Sequence, residues 1–538
     1  MLAVLAALTD FWGTRYGLNP DGISYIEMAR HALAGAPDGL INGYWSPGYP
    51  ALLMPVLWLA RNNWVLAVPA MHAVNVVLFL LSLAVFLTVL RSVQPADADG
   101  RGTVSGLGRY TTAFGVAAFL AIAIPCIGFG LITPDFGVML FVLLAVLCCV
   151  QLERSAHGWR VAMALGLVLG LGYWMKAILL PMNVLLLAGL LVFPPRAERA
   201  RAKVLLAACV FVLTVLPLIA LVSARVGHFS TGEVGKLAYV WEVDGDAPAV
   251  GWVGQSMGAL GTPAHAPRVV QADPQTLEFA TPINATYPLW FDPAYWNAGI
   301  RPRVELGVQL RQLRKGLQGL GEVLRLQWAV VLGLLLLAFA TVRSGGSRER
   351  SNIVVLIPLW SLAAAVIYSL VYIEARYLAG FICGSVIMAW AALVRRTARP
   401  AMRFTLPVVL AGLLVSLVGN VYDSTGGFSP SYRPAYLVDA AKLHEIGVAR
   451  GDRVAMVGDG WEAYATFGAE TPIIAQVMDS VGFWQLTPTQ RQELQVKVAA
   501  IGVRAMLANN VTPEMRAEGW QIFSRADSTN LGVLMLRP

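Results

Sequence analysis

Charge is what this sequence has least of. Only 13% of its 538 residues are Asp, Glu, Lys or Arg, whereas 57% are hydrophobic. Soluble domains carry about a quarter charged residues, so a water-soluble globular chain is excluded. Long polar tracts are missing as well, which excludes disorder. Cysteine is scarce, and all five residues (Cys126, Cys148, Cys149, Cys209, Cys383) lie in apolar segments without metal-site spacing. The large polar loops hold none, so a disulfide framework is not expected. The six histidines (His31, His72, His157, His228, His265, His444) are scattered and form no HExxH or paired-His motif. A histidine-built metal centre is therefore not expected. The net charge of +8 would suit nucleic acid, but most basic residues sit in short loops between apolar runs. Membrane topology accounts for them better, and no nucleic-acid partner is expected.

Apolar runs are what is present. They recur near 1–14, 65–90, 110–130, 136–151, 204–223, 325–342, 353–373, 377–394 and 404–421. A shorter pair in 161–193 is split around Tyr173-Trp174-Met175-Lys176, as a hairpin whose tip need not cross the bilayer. Judged against a hydrocarbon core of roughly 30 Å, the pattern predicts a polytopic α-helical membrane protein with about eleven passes. The first run is short for a span, so a few further residues are expected before it. It lacks the basic region and small-residue cleavage site of a signal peptide.

Five loops orient the chain. They carry Arg91, Arg101 and Arg109; Arg154 and Arg160; Arg196, Arg199, Arg201 and Lys203; Arg343, Arg348 and Arg350; and Arg395, Arg396, Arg399 and Arg403. Span parity puts all five on one side, which the positive-inside rule makes cytoplasmic. The large loops 15–64 and 224–324 and the tail 422–538 are then extracytoplasmic. The expected division is a membrane module over 1–421 and a soluble domain over 422–538. In that tail, strand-like runs at 453–458, 471–477, 504–508, 520–524 and 531–536 alternate with helical stretches at 461–468 and 487–501. A small α/β domain follows. Gly458-Asp459-Gly460 lacks the rest of a nucleotide-binding fingerprint and reads as a plain βα turn.

Chemistry-bearing residues gather in the outer loops and at membrane depth. Asn19 as N-cap, Pro20 at the first helical position and Gly35 at the end predict a helix over about 20–34. Its Ile23, Ile26, Ala29 and Leu33 form a stripe suited to a membrane surface, while Asp21 and Tyr25 share a face. A helix-dipole role explains Asp21 about as well as a chemical one. A turn follows, Asn42-Gly43-Tyr44-Trp45-Ser46-Pro47-Gly48-Tyr49-Pro50, whose aromatic content also suits an interfacial belt. The loop 224–324 supplies Trp241, Trp252, His265 and Tyr287-Pro288-Leu289-Trp290; such rings fit sugar C–H faces or lipid equally well. Asn284 opens a glycosylation sequon that a bacterial source would leave without meaning. Lys176 and Arg376 are cations at membrane depth, costly positions that are usually functional; snorkelling, or an ion pair of Arg376 with Glu374, is the plainer explanation.

Taken together, an acid opening a surface helix, a G-Y-W-S-P-x-Y-P turn and hydrophobic spans resemble the first external loop of GT-C glycosyltransferases. That superfamily includes the protein O-mannosyltransferases and the bacterial aminoarabinose transferases. Leu131-Ile132-Thr133-Pro134-Asp135 resembles the place of a second acid in such enzymes. Gly170-Leu171-Gly172-Tyr173-Trp174-Met175-Lys176 resembles their G-hydrophobic-x-x-x-K segment, with Met175 where Thr is usual. Glu374-Ala375-Arg376-Tyr377-Leu378 resembles the E-x-R-Y-L start of a late span. The likeness covers residues 10 to about 394 and departs at Asp21-Gly22, where many relatives have an acidic pair.

The resemblance implies an inverting glycosyltransferase at the outer face of a bacterial inner membrane. Its partners would be a polyprenyl-phosphate sugar donor, a glycan, lipid or protein acceptor, and membrane lipid. It implies Asp21 as base, with Asp135 beside it and Lys176 and Arg376 on the donor phosphate. Tyr25, Tyr44, Trp45, Glu374, Tyr377 and Trp290 would contact substrate. No cofactor is demanded; a divalent cation between the aspartates is compatible with the pattern. Two rivals stand beside this reading. A transporter should show repeat symmetry and broken helices, which the sequence does not display convincingly. A non-catalytic sugar-lipid scaffold would share the fold.

Overall fold

The structure, a computed structural model, describes residues 2–61, 63–93, 105–154, 158–245, 261, 264–342, 351–394, 407–412, 414–415, 428–429, 432–460, 463–525 and 529–536. Helices come first: α1 (Leu2–Thr14), α2 (Pro20–Leu33), α3 (Gly48–Ala60), α4 (Trp64–Ser92), α5 (Ser105–Cys126), α6 (Asp135–Arg154), α7 (Gly158–Met175), α8 (Leu179–Val192) and α9 (Ala200–Val226). Short α10 (Val234–Tyr239), α11 (Pro288–Phe291) and α12 (Pro293–Trp296) lead to α13 (Leu306–Leu326), α14 (Trp328–Val342), α15 (Asn352–Val371) and α16 (Ala375–Val394). Six of these (α4, α6, α7, α9, α15, α16) are long and apolar enough to cross a membrane, and α13 with α14 makes a seventh candidate bent by 70°. The expected eleven passes also count α1, α5, α8 and 404–421; most of that last run lies outside the described residues.

Side-chain bonds show which helix ends lie together. At one end Ser351 donates to Glu153 at 2.6 Å and Asn352 donates to the Pro194 carbonyl at 2.9 Å. The α6 terminus, the α8–α9 turn and the α15 start therefore share that end, as the alternation of basic loops requires. At the other end Phe79, Phe119, Phe129 and Phe136 meet in pairs at centroid distances from 5.1 to 5.7 Å. Such pairs add about 0.5–1.5 kcal/mol each beyond area burial, and this knot fixes the loop that delivers Asp135. The apolar stripe of α2 does not lie on lipid. Ile23, Ile26 and Ala29 are buried within the protein, and only Leu33 is exposed. Periodicity identified the apolar face correctly, but the covering surface is protein.

A seven-stranded sheet caps this second end in the order β1-β2-β4-β3-β5-β7-β6. Its strands are β1 (Arg268–Gln271), β2 (Thr276–Glu278), β3 (Val454–Val457), β4 (Ile473–Val477), β5 (Ala505–Asn509), β6 (Gln521–Ser524) and β7 (Asn530–Met535). β3 pairs in parallel with β4 and β5; the other pairings are antiparallel. Alternation splits the faces. Met456, Leu507 and Val533 look toward the helix bundle with α17 (Ala435–Glu445) and α18 (Tyr464–Ala469). Ala455, Val457 and Met506 look away, onto α19 (Ser480–Gln485) and α20 (Pro488–Ala500). The expected division at residue 422 understates this sheet, because β1 and β2 come from the loop after α9, and β2 pairs with β4 from Thr276↔Val477 to Glu278↔Ala475. Sheet and bundle are tied by Arg30–Glu470 at 2.5 Å and by Trp64 on Phe467 at 4.5 Å.

Candidate functional site

The site begins with α2. Asn19 has the extended backbone of an N-cap, Pro20 opens the helix and Asp21 falls in its first turn. The Asn19 side chain does not cap the helix; its Oδ1 accepts from the Ile132 amide at 3.3 Å and ties α2 to the loop before α6. Gly22 is explained by the same contact. A Cβ there would lie 2.7 Å from Asn19 Oδ1 and 3.1 Å from Ile132 Cβ, so a second acid would not fit.

Three other segments bring charge to Asp21. Asp135 starts α6, Lys176 ends α7 through a bond from its amide to the Gly172 carbonyl, and Arg376 lies in the first turn of α16. Lys176 Nζ donates to Asp135 Oδ1 at 2.7 Å. Arg376 reaches Asp135 Oδ2 at 3.5 Å, Asp21 Oδ2 at 3.9 Å, and hydrogen-bonds Glu374 through Nε. Asp135 is 1% exposed, whereas Asp21 and Lys176 keep about a quarter of their side-chain surface open, at 25% and 24%. Burial holds the Asp21 carboxyl above its ordinary pKa; Arg376 and Lys176 pull it back down, and Glu374 and Asp135 push it up. Removing one partner of a buried ion pair costs about 3–5 kcal/mol, so Lys176 and Arg376 also hold Asp135 in place.

An aromatic wall completes the site. Tyr377 lies under both cations, with Lys176 Nζ at 4.2 Å and Arg376 Cζ at 5.1 Å from its ring. Tyr25 packs on Trp45 at 5.1 Å, and Trp45 on Trp290 at 5.5 Å and Tyr44 at 4.5 Å. These rings do not form a lipid belt: Trp45 and Trp290 are buried. Asn42 orders the turn, donating to the Phe291 carbonyl at 2.8 Å while accepting from the Tyr44 and Trp45 amides. All ten expected residues therefore fall in one contiguous cluster. Two more rings join them: Trp241, which the sequence offered as a ring for sugar or lipid, and Tyr368, to which it gave no role. Trp241 lies 5.6 Å from Tyr44 and 5.8 Å from Trp290. Tyr368 stacks on Tyr377 at 5.0 Å, with a buried hydroxyl that has no hydrogen-bond partner among the described residues. Aromatic residues are abundant in spans, so nothing in the sequence separates Tyr368 from its neighbours. His265 stacks on Tyr295, outside the cluster. Trp252 lies outside the described residues. The sequon threonine, Thr286, is spent on structure: its amide and hydroxyl both donate to buried Glu27, at 2.8 and 2.6 Å.

A divalent cation between the aspartates meets a poor ligand set, because the two Asp135 oxygens face Lys176 and Arg376. Among the described residues no group of three His, Cys, Asp or Glu side chains is arranged to hold a metal.

No protein-family model and no curated protein matches the chain. Solved structures match it by shape. ArnT from Cupriavidus metallidurans in the apo state is similar with a TM-score of 0.57 at 13% identity, over 99% of this chain and 97% of that one. The same protein bound to undecaprenyl phosphate gives 0.57 at 12% identity, with 99% and 97% coverage. The Archaeoglobus fulgidus oligosaccharyltransferase complexed with Zn and sulfate gives 0.50 at 12% identity, over 96% of this chain and 68% of that one. At such identities the likeness is one of fold. The chain shares the polytopic membrane fold of these proteins.

Proposed function

We propose that the chain is an inverting glycosyltransferase that moves a sugar from a polyprenyl-phosphate donor to an acceptor hydroxyl at the extracytoplasmic face of a bacterial inner membrane. One observation carries this reading: Asp21, Asp135, Lys176 and Arg376, from four separate segments, converge at one end of the bundle beside partly open space. An ArnT of the same fold binds undecaprenyl phosphate, which supports a lipid-phosphate donor here.

The chemistry needs little else. The acceptor oxygen forms a bond to the anomeric carbon while Asp21 takes its proton. The carbon–oxygen bond to phosphate breaks from the opposite side, and the phosphate departs with the electron pair. That anion needs no general acid; it needs positive charge, which Lys176 and Arg376 supply. Asp135 holds the two cations apart and aimed. Tyr44, half-buried, offers a ring to the sugar and acceptor with Tyr25, Trp45 and Trp290 packed behind it, and Glu374 and Tyr377 position Arg376.

Asp21→Asn tests the reading. The amide keeps the shape but cannot take the proton, and positioned bases contribute about 10²–10⁴-fold. Sugar transfer by purified protein, assayed with a panel of polyprenyl-phosphate sugars and membrane extract as acceptor, should fall by at least that lower bound. The melting temperature should barely change. Near-normal transfer by Asp21→Asn would remove it as the base; an inactive parent protein would favour the scaffold.

A further inference from the structure

A cavity of about 340 Å³ lies away from the charged cluster, between the turn joining α1 to α2 and the sheet. Its floor is Met456 on β3, Leu507 on β5 and Leu531 on β7, all on the bundle-facing side. Beyond β3 the chain turns to α18 on that side. Beyond β5 it turns to Val511 and Met515, on the other side. Adjacent parallel strands whose following segments part to opposite faces leave a crevice at their carboxyl ends, which is where open α/β sheets bind ligands. Gly460 and Asn509, just past β3 and at the end of β5, line this cavity.

The lining indicates the ligand's chemistry. Arg525, the arginine in the wall, is already neutralised: its Nε donates to Asp439 at 2.7 Å and its Nη1 to Asn509 Oδ1 at 3.2 Å. Among the described residues of this lining, a phosphate or carboxylate would meet no uncompensated cation. Fixed amide and guanidinium groups, the Tyr16, Tyr436 and Tyr464 side chains and an aliphatic floor instead match the hydroxyl edge and C–H face of an uncharged sugar. The volume lies at the low end of the roughly 300–1,000 Å³ of ligand pockets. Leu18 is in the wall, and Asp21 is three residues further on. Three residues span at most about 11 Å.

We propose that this cavity is an acceptor subsite, holding an uncharged sugar unit of a glycan acceptor whose attacking hydroxyl extends to Asp21. The proposal rests on the glycosyl-transfer reading. Ala465 lines the cavity outside the reaction centre, so Ala465→Phe should fill it and Asn509→Ala should remove one polar contact. The probes are neutral di- and trisaccharides of glucose, galactose, mannose and N-acetylglucosamine. Saturation-transfer NMR on the purified full chain should detect binding of at least one, lost in Ala465→Phe and weakened several-fold in Asn509→Ala. In transfer assays Ala465→Phe should raise the acceptor KM at least tenfold, leaving kcat and acceptor-free donor hydrolysis unchanged. Should Ala465→Phe fail to fold, Asn509→Ala decides by the same two readouts. Saccharide binding that both variants leave intact, or no saccharide binding at all, overturns the subsite. Saccharide binding by a protein that turns over no donor would sink the transfer reading and spare the cavity as a sugar site.

Discussion

Asp21 works in scarce water, and its neighbours set how readily it ionises. Burial raises its pKa above the ordinary 3.8, with Arg376 and Lys176 opposing and Glu374 reinforcing. In the proposed reaction the carboxylate form is the base, so transfer should fail as pH drops through that raised value. The acid limb of kcat/KM against pH should therefore lie above the range of an ordinary aspartate. Glu374→Gln removes a neighbouring negative charge and frees Arg376 from one partner, and both changes favour ionised Asp21. The limb should move to lower pH even where the rate itself falls. A limb unmoved by Glu374→Gln, or moved upward, would show that another group limits the rate. Single residues were legible where the chemistry is unusual for the setting: a cation at membrane depth, an acid opening a helix. Tyr368 was not legible, because its place depends on the stacking of α15 against α16.

Helices carry these residues to one another, and one approach beside the site has little slack. A Cβ on Gly48, which opens α3, would lie 2.7 Å from the Trp174 carbonyl oxygen and 3.1 Å from Met175 Cα. Those are backbone atoms of the segment that ends in Lys176, so neither side can yield by a rotamer change. Gly48→Ala should cost about 1–3 kcal/mol of stability, as overpacking does, seen as a lowered melting temperature in detergent. Transfer should fall further than stability explains, with donor KM rising, because Lys176 moves with its backbone. Equal kcat/KM in the surviving folded fraction would refute the link. The sequence made α2, α7, α8 and most of the tail's strands legible, since each is a local pattern of caps, periodicity and turns. It did not reveal β1 and β2, which have four and three residues. They become strands only by pairing with β4, far along the chain. Nor did it reveal that protein covers α2, because periodicity marks the apolar face and not its occupant.

At the scale of the whole molecule, orientation rests on the basic loops. Glu198 is 87% exposed in the basic loop after α8, and Val481 is 65% exposed on the far face of the sheet. In a background with exposed Cys209 changed to Ser, Val481→Cys should react with an impermeant thiol reagent added to spheroplasts. Glu198→Cys should react only after lysis. The reverse pattern would invert the molecule and take the proposed reaction to the cytoplasm. The shared sheet also has a consequence for how this chain is made. β1 and β2 are finished roughly 200 residues before β4; at about 5–20 residues per second that is a wait of some 10–40 s. During that interval residues 268–278 wait without the β4 partner that makes them strands, and an unpaired strand segment is the form most prone to pair with the wrong neighbour. The ribosome must deliver α14, α15 and α16 before the rightful neighbour arrives. Fast synthesis should therefore place many half-built molecules side by side, each carrying the same unpaired segment.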